Sequence, residues 1–202
     1  MKSDTNERLL KATLRLMSEK GYLGTSTKEI AKEACVTEVT LFRHFGSKEK
    51  LFEEVINRYS FLPTLKDLLS KIEGSSHNYE KTLNIIGTSF FETLKGRKSL
   101  VRIMTSEINI YPEKIRDVHT RFIDETNRVL AGYFKSQQEK SLLRQFSPHV
   151  AAKAFLGMIF SYFNLEEIVK GHDITKKEMK KIIKEFVEIF VSGTLKGDKK
   201  LC

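Results

Sequence analysis

The sequence predicts an all-α protein of about nine helices. Apolar residues recur at helical spacing along most of the chain, as at Leu9, Leu10, Leu16 and Met17, and no run alternates with period two. Helix-start signatures repeat: capping boxes at Ser26-x-x-Glu29 and Thr175-x-x-Glu178, and an N-cap followed by proline at Ser147-Pro148. Only three prolines interrupt 202 residues.

The elements follow in order. A first helix runs from about Asp4 to Lys20, with Leu9, Leu10, Thr13, Leu14, Leu16 and Met17 inward. The Ser26 box opens a second, whose narrow face of Ile30, Ala31 and Ala34 lets another helix approach closely. Val36 packs the turn. Thr37 caps a third helix anchored by Leu41, Phe42 and Phe45. A fourth starts at Ser47 and passes Phe52, Val55 and Ile56, and Pro63 must bend or break it. After a loop at Glu73-Gly74-Ser75-Ser76, helices are expected at about 78–95, 98–110 and 112–137, with Pro112 in the first turn of the last. Another opens at Ser147 and ends near Lys170 at Gly171. The Thr175 box opens the final one, to about Ser192-Gly193.

Residues 26–46 therefore read as two short helices joined by a tight turn. Thr37, Glu38, Val39, Thr40, Arg43 and His44 are expected on the outer face of the second. Short polar and β-branched groups lead, and a cation and an imidazole follow. That layout suits a helix whose first turn meets base edges in the DNA major groove.

These residues carry a family resemblance. Residues 6–55, with the run NERLLKATLRLMSEKGYLGTSTKEIAKEACVTEVTLFRHFGSKEKLF, resemble the DNA-binding domain of tetracycline-repressor (TetR) family regulators. The matching features are Glu19-Lys20-Gly21-Tyr22, Thr25, Thr27, Glu29-Ile30-Ala31, Val36-Thr37, Thr40-Leu41-Phe42, His44-Phe45 and Ser47-Lys48-Glu49. Two positions depart. Cys35 stands where the family usually has glycine, and a side chain at positive φ costs on the order of 1 kcal/mol. Val39 stands where many relatives carry glycine, so the recognition helix is bulkier.

The resemblance implies a three-helix DNA-binding head, residues 1–47, on a six-helix effector-binding and dimerisation body, residues 48–202. It implies that Thr27, Lys28 and Lys48 meet phosphates and that Arg43 and His44 flank the backbone. Thr37, Glu38, Val39 and Thr40 would face bases. Glu38 has two open readings: it accepts from cytosine N4, or it only repels wrong sites and favours the helix N-terminus. Phe42 is expected to be mainly core. The expected partners are a two-fold symmetric double-stranded DNA site, a second copy of the chain and a small-molecule effector.

Composition agrees. The net charge is +9, but residues 1–52 hold ten Lys/Arg against seven Asp/Glu, so the excess is not concentrated in the head. Much of it solvates helix faces such as Lys176–Lys184. No apolar run is long enough to span a bilayer. Lys2, Asp4, Glu7 and Arg8 are charged where a leader would need an apolar stretch. Two cysteines make no disulfide framework, and a cytoplasmic location is expected.

The last two helices are apolar nearly all round, which requires burial on two sides. A central core helix within one chain would meet that need; the resemblance implies instead a four-helix bundle built from two helices of each of two copies. Phe90, Phe91, Met104, Ile108, Tyr111, Phe122, Phe155, Met158, Tyr162 and Phe163 are candidates to wall a pocket for an apolar or amphipathic ligand, though most of them also suit a plain core. An enzyme or di-metal bundle is the rival class. None of the five histidines follows a glutamate by three positions, and no phosphate loop or serine elbow is present, so no catalytic residue, cofactor or metal is expected. A redox role for Cys35 is a further, weaker rival.

Overall fold

A computed structural model describes residues 2–73 and 78–196. Among these residues there are ten α-helices: α1 Lys2–Lys20, α2 Thr27–Glu33, α3 Glu38–Phe45, α4 Lys48–Tyr59, α5 Phe61–Glu73, α6 Tyr79–Gly96, α7 Lys98–Glu107, α8 Glu113–Glu139, α9 Pro148–Phe163 and α10 Lys176–Thr194. Counting α4 and α5 as one element interrupted at Ser60 gives the nine expected. No strand occurs among the described residues; Leu143 and Leu195 make one isolated antiparallel bridge. Positions 74–76 of the expected loop lie outside the described residues.

Three boundaries differ from expectation. The break after α4 falls at Ser60, whose backbone is extended, and Pro63 sits in the first turn of α5. Its missing N–H costs nothing there, because first-turn donors have no intrahelical partner. The helix expected to 110 ends at Glu107 and tightens into one 3-10 turn, Ile108–Ile110, before Pro112. After α9 the chain widens into a π turn, Asn164–Val169, and Gly171 ends it at φ 70°.

The chain forms two compact units. The first takes the described part of Met1–Ser60 together with Arg97–Phe122. The second takes the described parts of Phe61–Gly96 and Ile123–Cys202. In the first unit α1 is covered on two sides. Leu9, Leu10 and Leu16 pack with Ile30, Ala31, Ala34, Leu41, Leu51 and Val55. Met17, Tyr22, Phe52 and Ile56 pack with Leu100, Met104, Tyr111, Ile115 and Val118. Fully burying each large apolar side chain contributes roughly 1.5–3 kcal/mol.

In the second unit α6 runs against α9 and α10. A Cβ at Gly87 would lie 3.1 Å from Ile183 and 3.2 Å from Ile159, so the absent side chain permits the close approach. The Phe190 ring of α10 lies 5.5 Å from that of Phe134, tilted, and 5.2 Å from that of Phe155, edge-on. A polar clasp ties the π turn to the end of α6. The fully buried Glu167 carboxylate accepts from Lys95 Nζ at 2.8 Å and from the Ile174 amide at 2.9 Å. Lys95 also donates to Asp173 at 2.6 Å. Lys95→Met leaves that buried carboxylate without its cation. The expected loss is about 3–5 kcal/mol, read as a lowered denaturant midpoint; a loss within experimental error would contradict the assigned role.

Candidate nucleic-acid interface

The geometry of α2, the turn and α3 starts from their caps. The Ser26 hydroxyl accepts from the Glu29 amide, and the Glu29 carboxylate accepts from the Ser26 amide at 2.9 Å. Lys20 adds an ion pair to Glu29 at 2.6 Å. Cys35 adopts φ 54°, the left-handed conformation its position in the turn requires, and the Val36 amide reaches back to Ala31 O at 2.9 Å. Thr37 caps α3 by accepting from the Thr40 amide. Leu41 is fully buried against the small-residue face of α2.

The buried position of Leu41 sets the outer face. Successive residues turn by about 100°, so Phe42 is carried off the inner face, while Phe45, one turn on, packs beside Leu41. Phe42 is 44% exposed, which corrects its expected place among the anchors. Thr37 and Arg43 are exposed and Val39 is 77% exposed; Glu38, Thr40 and His44 are half-buried.

Two contacts give expected site residues partners that the sequence did not reveal. The Thr27 hydroxyl donates to Glu38 Oε1 at 2.5 Å, joining the start of α2 to the start of α3. His44 Nδ1 lies 2.5 Å from Asn6 Oδ1, joining α3 to α1. The carbonyl oxygen can only accept, so this contact assigns the proton to Nδ1. Neither Asn6 nor the Thr27–Glu38 pair had a signal in periodicity or capping.

Lys28 is exposed beside Thr27, but Lys48 lies differently. Its Nζ donates to the Tyr22 carbonyl at 2.5 Å and sits 4.1 Å from the Tyr22 ring centre. Burial lowers its ammonium below the ordinary range. Tyr22 is gripped further. Its hydroxyl donates to Glu49 at 3.1 Å, and its amide donates to the Tyr111 hydroxyl at 3.5 Å. Tyr111 in turn donates to Glu107 at 3.0 Å.

The ten pocket candidates divide between the units. Met104, Ile108, Tyr111 and Phe122 belong to the core around Met17, Tyr22 and Phe52 in the first. The other six lie in the second. There Phe91 meets Phe163 at 5.5 Å, Phe90 meets Phe61 at 4.9 Å, Phe155 is fully buried, and Tyr162 meets Phe186 at 5.6 Å. Met158 is half-buried. In the same unit the Oδ1 atoms of Asn127 and Asn164 are buried without a hydrogen-bond partner. An open cleft of about 410 Å³ in the first unit is lined mainly by charged residues, including Glu49, Glu53, Lys114, Asp117 and Arg121, and by none of the ten.

On α9, the π turn and α10, Val150, Phe160, Leu165, Val169 and Ile189 are exposed, Ile189 at 64% and Val169 at 68%. Gly157 and Ser161 lie open between them. These apolar side chains are left uncovered by the single chain. No helix of the described residues is long and apolar enough to cross a membrane.

Known proteins share this organisation. Residues 9–55 match the profile of bacterial regulatory proteins of the tetR family, and residues 81–193 match that of the AefR-like transcriptional repressor C-terminal domain. The chain is 31% identical over 189 residues to the HTH-type transcriptional regulator YvkB of Bacillus subtilis (strain 168), covering 94% of this chain and 96% of that protein. A TetR-family protein from Mesorhizobium loti MAFF303099 superposes with a TM-score of 0.80 at 22% identity, covering 96% of this chain and 98% of that one. The flavonoid-responsive regulator FrrA superposes with a TM-score of 0.68 at 25% identity, covering 96% and 98%.

Two measurements check the local physics. Cys35→Gly relieves the left-handed side chain and is expected to raise stability by up to about 1 kcal/mol, seen as a higher denaturation midpoint; a lower midpoint would show that Cys35 packs favourably. The carboxyl of Glu29 is held at about 2 against an ordinary 4.5, chiefly by Lys20 and then by the Ser26 amide and hydroxyl. A depressed folded value means the box supports α2 fully above pH 4.5, and that support fades as pH falls toward 2. A carboxyl titration of Glu29 by NMR should give a midpoint near 2; a midpoint near 4.5 contradicts the grip.

Proposed function

Because this chain belongs to the tetR family of bacterial regulatory proteins, and so is a DNA-binding transcriptional regulator, we propose that it is a repressor that holds a two-fold symmetric operator as a homodimer and releases it on binding a small ligand. The observation that carries this reading is the outer face of α3, where Thr37, Val39 and Arg43 are exposed while Leu41 is locked inward. The reading head is residues 1–47; residues 48–202 carry effector binding and dimerisation, at work in the cytoplasm.

In the complex the first turn of α3 lies in the major groove. Val39 and the Thr40 methyl touch thymine methyls, Thr37 adds a hydroxyl, and Glu38 accepts from cytosine N4. Lys28, beside Thr27, and Arg43 meet phosphates. His44, its ring held by Asn6, flanks the backbone. Lys48 reaches a phosphate by leaving its seat on the Tyr22 carbonyl. The two recognition helices sit about 34–36 Å apart, or a multiple of that.

The uncovered face of α9 and α10 supports a four-helix bundle between two copies. The effector is apolar or amphipathic. The aromatic side chains packed in the second unit, among them Phe91, Phe155, Phe163 and Tyr162, support that class, and the buried Oδ1 atoms of Asn127 and Asn164, without a hydrogen-bond partner, are acceptors that a hydroxylated compound could satisfy. FrrA responds to flavonoids, which are flat, aromatic and hydroxylated, and this is the first class to try. Release follows from a population shift limited by the ligand's differential affinity for the two head spacings.

Selection of bound duplexes from a random pool tests the core of this reading. A two-fold symmetric consensus is expected, and no enrichment would sink it. With that site, Lys28→Ala and Arg43→Ala should each weaken binding on all sequences and flatten the log–log salt slope by about one; an unchanged slope removes the residue from the phosphate contacts. Phe160→Glu combined with Ile189→Glu should convert a dimer to monomers in sedimentation, and a dimer that persists would place the interface elsewhere.

A further inference from the structure

Glu38 is an unusual residue for the leading turn of a helix that enters a polyanion. Among the described residues no lysine or arginine pairs with it, and its one hydrogen bond comes from Thr27 to Oε1. The second oxygen, Oε2, has no partner there. A bare carboxylate in the major groove meets acceptors almost everywhere: guanine O6 and N7, thymine O4, adenine N7. The donors are the cytosine N4 and adenine N6 amino groups, and adenine sets N7 beside its amino group. Cytosine is therefore the base at which such a carboxylate gains a hydrogen bond without facing an adjacent acceptor on the same base.

Thr27 alters how strictly that choice is enforced. A free glutamate on an exposed turn swings away from a wrong base at little cost and loses rotamer freedom on meeting the right one. With one oxygen bonded to Thr27, the carboxylate is fixed at the start of α3 before DNA arrives. The same bond also occupies the Thr27 hydroxyl proton, so that hydroxyl has none to give to a phosphate. We propose that Thr27 is a positioning residue for base readout: its hydroxyl holds the Glu38 carboxylate as a preorganised acceptor for the N4 amino group of one cytosine in each operator half-site. This rests on the DNA-reading role of α3 and the Glu38–cytosine contact proposed above, and adds the residue that aims the carboxylate and the strictness it confers.

The test uses the full-length chain and the duplex selected above, with the half-site cytosine opposite Glu38 located by single-base substitution. For the unaltered protein, replacing that C·G pair by T·A should weaken binding by about ten-fold or more. In Thr27→Val, which keeps the shape and removes the hydroxyl, this ratio should shrink several-fold, while affinity for non-specific DNA and the salt slope stay unchanged. Thr27→Ser should restore the ratio. Glu38→Gln, which can donate as well as accept, should move the preference toward adenine. Melting curves on each variant report folding separately.

If Thr27→Val weakens all sequences equally, lowers the salt slope and leaves the C-to-T ratio intact, Thr27 is a phosphate ligand and the proposal falls. If it lowers thermal stability and affinity uniformly with the ratio and slope intact, the bond is only a tether between α2 and α3, and the proposal falls equally. A protein that selects no duplex at all fails the earlier reading, not this one alone.

Discussion

Everything the outer face of α3 presents, the face proposed to meet DNA, depends on where Leu41 is seated. Ile30, Ala31 and Ala34 offer a face with little side-chain bulk, so α3 can press its leucine into the core shared by α1, α2 and α4 until no water reaches it. On an eight-residue helix, fixing one side chain fixes the rotation of all the others. The outward rank of Thr37, Val39 and Arg43 is thus a consequence of burial on the opposite side. So is the emergence of Phe42, an apolar ring that hydrophobicity alone would have placed inside.

Burial sets the rotation, and hydrogen bonds at the edges hold it. The Thr27–Glu38 contact closes the N-terminal edge of the helix pair, and the Asn6–His44 contact closes the far end of α3 onto α1. Each uses a residue that also belongs to the set proposed to face DNA. A side chain that must be both exposed and well aimed needs a partner on its protein side, because an unheld rotamer loses entropy on binding.

Tyr22 gives the first unit its second organising point. It lies between the reading helices and the segment 97–122, and it is bonded from α4 through Lys48 and Glu49 and from beyond α7 through Tyr111. The first compact unit is consequently built from two stretches of chain far apart in sequence. The second unit uses a different device at its edge: the Lys95–Glu167–Asp173 clasp satisfies a carboxylate that would otherwise be buried alone, where the helix widens into its π turn.

Helix number, starts and the helix-turn-helix were legible in the chain itself because they rest on local physics. A capping box, an N-cap before proline and a repeat of apolar residues act within one or two turns, so Ser26, Thr37, Ser147 and Thr175 announced their helices without help from distant residues. The left-handed turn at Cys35 was equally local. What only the tertiary structure decided were relations across sequence: that Phe42 faces outward, that Lys48 rests on Tyr22, that Thr27 holds Glu38, and that the ten aromatic and aliphatic candidates separate into two cores. No periodicity encodes these, because a side chain's partner across a helix–helix contact depends on rotation and separation, and those are set by the whole packed unit.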